Sequence, residues 1–176
     1  MNVEEKLKAV IRDVNDFPKP GIVFKDITPI MLNPSLSIEM LEALKNQVKN
    51  LEITKIAGIE SRGFLFGYPL AMALDLPFVL IRKKGKLPYN KISESYALEY
   101  GEATIEMHED AVNKDDKVLI HDDLLATGGS AAAAARLIIR KGACISGFSF
   151  IVDLEFLNGK EKIQQFSKNI FTLARY

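Results

Sequence analysis

The sequence predicts an α/β domain with a central, mainly parallel sheet flanked by helices. Near-continuous apolar runs such as IAGI, FVLI, VLI and FSFIV read as strands buried on both faces, and segments of helical period separate them. Small polar loops join strand to helix, the order expected of strand-helix-strand units. In such sheets ligands bind beyond the carboxyl ends of the strands, where Glu60, Arg82, Asp122 and Asp123 emerge.

Val3, Leu7, Val10, Ile11 and Val14 recur at helical spacing, and DFPKPG stops that helix. SLSIEMLEALKNQVKNL carries Ile38, Leu41, Leu44, Val48 and Leu51 on one helical face, with Ser35 or Ser37 able to cap it. TKIAGIE is a strand, SRGFLFGYPLAMAL a helix opening at Ser61, and PFVLIRK a further buried strand. The polar, lysine-rich stretch that follows reads as a loop, and YALEYGEATIEM alternates as one or two antiparallel strands. KVLIH, the loop LATGGS, the helix AAAAARLIIRKG and the strand ACISGFSFIVDL repeat the first unit. A long polar segment inside a compact domain is functional or disordered, and a lid over a charged ligand is both in turn.

The 176 residues suit one domain with a substantial core. Lys plus Arg and Asp plus Glu both total 23, so no global field favours nucleic acid or a membrane surface, and any electropositive site is local. Cys144, the only cysteine, reads as a buried thiol and excludes an intramolecular disulfide. MNVEEKLKAVIRDV lacks the apolar core of a signal peptide, and no stretch reaches the roughly 20 apolar residues of a membrane helix. The expectation is a soluble, cytoplasmic protein.

In VLIHDDLLATGGSA two acids stand at the end of an apolar strand. Buried carboxylates need partners, and vicinal sugar hydroxyls with a neighbouring metal ion supply them. Behind the acids, Gly128 and Gly129 let backbone amides converge, Thr127 and Ser130 add hydroxyls, and the following helix presents its positive end, so one stretch can hold a ribose 5-phosphate. The bland alternative is a strand-to-helix turn with acids near a helix N-terminus. Neither a Walker A loop nor a G-x-G-x-x-G fingerprint is present.

HDDLLATGGS resembles the phosphoribosyl diphosphate (PRPP) signature of the type I phosphoribosyltransferases. FPKPGIVFKDITP, GIESRGFLFGYPLA, LIRKKGKLP and SYALEYG resemble, in order and spacing, segments of the adenine branch of that family, and Val152, Asp153 and Leu154 resemble its later strand. The resemblance implies the type I phosphoribosyltransferase fold, with a small hood from about 1–33 and the C-terminal segment, and a flexible lid at about 84–98. It implies transfer of the phosphoribosyl group of PRPP to adenine, giving AMP and pyrophosphate in purine salvage, with Mg²⁺ and as a homodimer, and with neither nucleic acid nor membrane as partner.

The same resemblance assigns roles. Asp122 and Asp123 orient the ribose and lie near the metal that PRPP carries; Ala126, Thr127, Gly128, Gly129 and Ser130 hold the 5-phosphate. Glu60, Ser61 and Arg62 form a pyrophosphate loop whose Glu60-Ser61 peptide is expected to be cis, although a plain helix start explains GIESRG equally well. Arg82 and Lys86 act as a diphosphate clamp ahead of Lys83 and Lys84, against the simpler alternative of a solvated basic loop. Phe24 stacks on adenine, with backbone groups near Val23 and Lys25, where core packing is the alternative; Glu99 handles a purine-ring proton, where an exposed strand residue is the alternative.

Two departures stand out from the family pattern. His121 occupies a usually apolar position, and packing within the strand is favoured over modulation of Asp122; Ser130 replaces a threonine but keeps the hydroxyl. His108 reads as a surface residue. Two other functions fit parts of the pattern: a 6-oxopurine transferase, and a regulatory PRPP sensor, which would need a basic surface or a DNA-binding domain.

Overall fold

The computed structural model describes residues 1–97 and 101–176. Helix α1 (Val3–Val10) is closed at its start by Asn2, whose side chain accepts from the Glu5 amide while Glu5 accepts from the Asn2 amide. It stops at Val10 and does not run to Val14. Residues 12–15 form β1 (Arg12–Asn15), paired antiparallel with β2 (Val23–Asp26) in a two-stranded ribbon of its own. Val14 fits a helical period and an alternating one equally, so cross-strand pairing with Phe24 decided its place.

After α2 (Thr28–Met31) comes α3 (Pro34–Val48). Its cap is Asn33, and not Ser35 or Ser37: Asn33 Oδ1 accepts from the Leu36 amide at 3.1 Å, and Pro34 takes the first turn, where no amide donor is required. Leu44 and Val48 are buried as expected, joined by Leu36 and Met40, while Leu41 and Leu51 are half-buried and Ile38 is exposed.

β3 (Lys55–Ile59), α4 (Gly63–Ala73) and β4 (Phe78–Lys83) form the first parallel unit. Ser61 does not cap α4; Arg62 stands at its N-terminal boundary without a side-chain capping bond. β5 (Lys91–Ala97) and β6 (Glu102–His108) are two antiparallel strands, and β6 joins the sheet by pairing with Arg82 and Lys83 of β4. β5 thus begins at Lys91, ahead of the YALEYG stretch, because Lys91 to Tyr96 alternates between exposed and half-buried sides against β6.

β7 (Lys117–Leu125), α5 (Gly129–Arg140) and β8 (Cys144–Asp153) form the second parallel unit, followed by a 3₁₀ turn at Glu155–Leu157, α6 (Gly159–Ile163) and β9 (Ile170–Arg175). The strand order is β5-β6-β4-β3-β7-β8-β9, parallel from β4 through β9 and antiparallel at the β5-β6 edge.

Each face of the sheet carries its own core. On one, Ala131 to Ala135, Leu137 and Ile138 of α5 pack against Ile81, Ile120, Phe148 and Phe150; the five alanines bring the helix backbone close to the strands. On the other, α1, α3 and α4 contribute Leu7, Met40, Leu44 and Leu70 against Ile56, Leu119 and Ile151. Cys144, expected inside, is exposed because it opens β8 at the rim of the sheet, before the buried run begins at Gly147. His108, expected at the surface, is half-buried against the edge of the Tyr89 ring.

Candidate active site

Chain direction through the sheet reverses between β3 and β7: β3 leads outward to β4 on one side, and β7 leads to β8 on the other. A crevice opens at the carboxyl ends of two such strands. Pairing of β3 with β7 ends at Gly58 beside His121. Beyond that point β3 becomes the Glu60–Arg62 turn, while β7 continues to Leu125. Asp122 and Asp123 therefore lie inside β7, beside the turn, and not in a loop after the strand.

Both carboxylates are close to fully enclosed, at 9% and 4% exposure. Burial, and then the charge of Asp123, pushes Asp122 well above the usual carboxylate range. Burial also raises Asp123, against the pull of Arg62. Arg62 Nε lies 2.9 Å from Asp123 Oδ2, an ion pair whose angle falls short of a hydrogen bond, so that oxygen has none among the described residues. Packing around the acids is tight: a Cβ at Gly63 would meet Asp122 Oδ1 at 2.9 Å and the His121 carbonyl at 3.0 Å. His121 is fully buried, with Nδ1 3.3 Å from Ser149 Oγ, and burial lowers its pKa to about 4. It packs as a strand residue.

The turn after β3 carries a cis peptide between Glu60 and Ser61. Glu60 faces Arg82: Nε and Nη2 of the guanidinium donate to its carboxylate at 3.1 and 3.3 Å, and the Lys83 amide donates at 2.9 Å. Burial opposes these bonds, yet they hold the Glu60 carboxyl below its ordinary pKa. Arg82 also donates to the Lys86 carbonyl at 3.0 Å, while the side chains of Lys83, Lys84 and Lys86 are exposed at the crevice rim. Arg82 is thus engaged with Glu60, and the three lysine side chains remain solvent-exposed.

The loop after β7 enters α5 through Gly128, in the left-handed conformation at φ 73°. This position requires glycine twice over, since a Cβ would be strained by the backbone and would lie 2.7 Å from the Gly159 carbonyl oxygen. Ala126, Thr127, Gly128, Gly129 and Ser130 line a cavity of about 160 Å³ closed on one side by Tyr96. The amides at the start of α5 face an anion-sized space. Tyr96 was missed in the sequence as a wall of this site. Its ring lies 3.1 Å from where a Gly129 Cβ would be, and burial, then the Asp122 charge, raises its hydroxyl pKa.

The β1-β2 ribbon supplies Phe24, whose ring has Phe17 edge-on at 5.2 Å and the Arg62 guanidinium at 4.9 Å. Val23 is exposed beside it, and the Lys25 side chain is 11% exposed, directed at Asp13 and Tyr176. Arg62 therefore brings together the acid pair and the aromatic ring. Glu99 lies outside the described residues.

A family model described as a phosphoribosyl transferase domain matches residues 30–169. The adenine phosphoribosyltransferase of Cytophaga hutchinsonii is 47% identical over 174 residues, 99% of this chain and 96% of that one. Among solved structures, adenine phosphoribosyltransferase from Rhodothermus marinus superposes with a TM-score of 0.90 at 49% identity, covering 99% and 98% of the two chains. The Saccharomyces cerevisiae adenine phosphoribosyltransferase, complexed with an imino-altritol bisphosphate and adenine, superposes with a TM-score of 0.90 at 39% identity, covering 97% and 98%.

Proposed function

This chain belongs to the phosphoribosyltransferase family, in its adenine branch, and from that premise we propose that it transfers the 5-phosphoribosyl group of PRPP to adenine, giving AMP and pyrophosphate in purine salvage. One juxtaposition supports the reading most: the buried Asp122-Asp123 pair continues directly into the amide-lined cavity at Ala126–Ser130, with Arg62 beside the acids and Phe24 above Arg62. On this reading ribose, phosphate, pyrophosphate and base take those surfaces in that order.

In this scheme the bond from ribose C1 to the diphosphate oxygen breaks, the diphosphate leaves with the electron pair, and a ring nitrogen of adenine bonds to C1 while losing its proton. Asp122 and Asp123 accept hydrogen bonds from the ribose hydroxyls, and their negative charge favours the cationic sugar of the transition state. Amides of Ala126 to Ser130, with the Thr127 and Ser130 hydroxyls, anchor the 5-phosphate. Ser61, Arg62, Arg82 and Lys86 bind the departing diphosphate, with Glu60 orienting Arg82. Phe24 stacks on the base beside the backbone of Val23 and Lys25, and Glu99 receives the ring proton.

Among the described residues no group of three or more His, Cys, Asp or Glu converges on one point. Asp123 Oδ2, without a hydrogen bond, and the neighbouring Asp122 fit a Mg²⁺ ion held by one or two carboxylates and substrate oxygens, the arrangement this reluctantly dehydrated cation prefers. Bound there, the ion would neutralise charge on the diphosphate. The 84–98 segment, with β5 at its end, closes over the site and excludes water that would hydrolyse the activated sugar. Leu65, Tyr68 and Met72, exposed along one face of α4, support a homodimer. A sugar diphosphate carries too much charge to cross a bilayer unaided, which favours a cytoplasmic setting.

The test is pyrophosphate release from PRPP and Mg²⁺ with adenine, hypoxanthine or guanine supplied separately. Release with adenine alone is expected; turnover of an oxopurine would overturn the base assignment, and no release with any base would overturn the activity. In an active enzyme, Glu99→Gln should lower kcat by on the order of 100-fold.

A further inference from the structure

Phe24 and Lys25 are consecutive on β2 and project to opposite faces of the ribbon. Phe24 turns toward Arg62 and the crevice. On the other side the Lys25 ammonium lies 2.6 Å from Asp13 Oδ1 and 3.9 Å from the centre of the Tyr176 ring. Asp13 is the cross-strand partner of Lys25 on β1, so that ion pair holds the ribbon only to itself. Tyr176 belongs to the body of the protein: its amide donates to the Asp153 carbonyl and its carbonyl accepts from the Glu155 amide, both at 2.9 Å. Lys8 of α1 approaches the same ring at 5.4 Å.

We propose that Tyr176 is a positioning residue for the base. By seating the Lys25 ammonium on its ring it fixes the height and tilt of β2, and with them the Phe24 ring and the Val23 and Lys25 backbone presented to adenine. The attraction is that of a cation for the negative face of an aromatic ring, strengthened here by the low exposure of the Lys25 side chain. It needs the ring and not the hydroxyl: Tyr176 Oη is buried and without a hydrogen bond among the described residues. Nothing in this arrangement touches the Ala126–Ser130 cavity, and Arg62, the one diphosphate group that Phe24 meets, has its own anchor in Asp123, so the effect falls on the base far more than on PRPP.

The inference rests on the function proposed above, and the wild-type enzyme is the control that tests that function on its own. Steady-state kinetics with adenine and with PRPP varied separately, on wild type, Tyr176→Ala and Tyr176→Phe, test the latch. Tyr176→Ala should raise KM for adenine roughly three- to thirtyfold, with KM for PRPP within about twofold of wild type, and Tyr176→Phe should restore both. Should Tyr176→Ala fail to fold, Lys25→Met carries the same expectation, since it keeps the apolar stem and removes the charge. An unchanged KM for adenine, a parallel rise in both KM values, or a Phe variant as impaired as the Ala variant would overturn the positioning role. Wild type that turns over no adenine would overturn the underlying function instead.

Discussion

Arg62 Nε stands 2.9 Å from Asp123 Oδ2, which sets a cation from the β3-α4 turn against a carboxylate of β7 across the line where the sheet reverses. The contact is lopsided: Asp123 is 6% exposed at its side chain and Arg62 30%. The arginine is the member that can leave, and when it does the carboxylate remains buried.

Arg62→Met should therefore cost stability as well as activity. Removing one partner of a buried pair costs about 3–5 kcal/mol, and solvent screening at the partly exposed Arg62 reduces the expectation to about 1–3 kcal/mol. Without its countercharge the folded-state pKa of Asp123, already raised, rises further. A carboxyl with a raised folded pKa destabilises the fold only above its unfolded pKa, about 4. Urea denaturation should show the variant's deficit at pH 8 and little of it near pH 4; a deficit independent of pH would point to lost packing alone.

Asp122→Asn should be more stable than wild type and far less active. Burial and the Asp123 charge hold the Asp122 carboxyl well above its ordinary range, so the ionised form works against folding at neutral pH. The amide removes that cost, giving a gain of about 1–2 kcal/mol at pH 7–8 that vanishes as pH falls toward about 4, where the unfolded carboxyl is also protonated. Thermal melts across pH check the first half. A fall in kcat/KM for PRPP on the order of 100-fold checks the second. A destabilised Asn variant would mean that the buried NH2 donor it introduces, left without an acceptor, costs more than the charge it removes.

The parallel units were legible because their apolar runs and loops each carry a single period: β3, β4, β7 and β8 stand where IAGI, FVLI, VLI and FSFIV stand. Val14 was not, because its strand pairing is with Phe24, ten positions on in a separate ribbon. The Ala126–Ser130 loop was legible as a strand-to-helix turn, since two glycines break the apolar run just ahead of an alanine-rich helix. Tyr96 and Tyr176 were not, because an aromatic residue announces neither which cavity it walls nor which cation it seats until the tertiary fold is formed. The Glu60-Arg82 pairing escaped the sequence for the same reason: the partners are far apart in the chain and meet only through adjacent strands.

His121→Leu should flatten the acid limb of the stability profile. The folded-state pKa is lowered to about 4 from 6.5, so the unfolded chain binds the proton more readily. For a base depressed in this way, stability is complete above the unfolded value and is lost as pH falls from about 6.5 to about 4, by about 3 kcal/mol in total. Melting temperatures at pH 7 and pH 4.5 should converge in the Leu variant relative to wild type. Identical slopes would assign the acid limb to other groups.

Gly128→Ala and Gly159→Ala should weaken PRPP binding as well as the fold. At Gly128 the added Cβ meets the Gly159 carbonyl oxygen at 2.7 Å, and a left-handed φ of 73° adds strain of about 1–2 kcal/mol. At Gly159 it meets the Ala126 carbonyl oxygen, closer than real Cβ atoms come. Both collisions move the loop that lines the cavity proposed to hold the 5-phosphate. Gly147→Ala provides the comparison, because its Cβ would meet the Asn169 carbonyl oxygen at 2.8 Å in β8, away from that cavity. Crowding of a similar kind should lower the melting temperature in all three variants. Only Gly128→Ala and Gly159→Ala should raise KM for PRPP, by about tenfold or more, since a displacement near 1 Å in a site built from fixed amides costs that much. If Gly147→Ala raises KM equally, the effect belongs to a general loosening of the sheet, and the close approach of Gly159 to the phosphate loop has no part in holding PRPP.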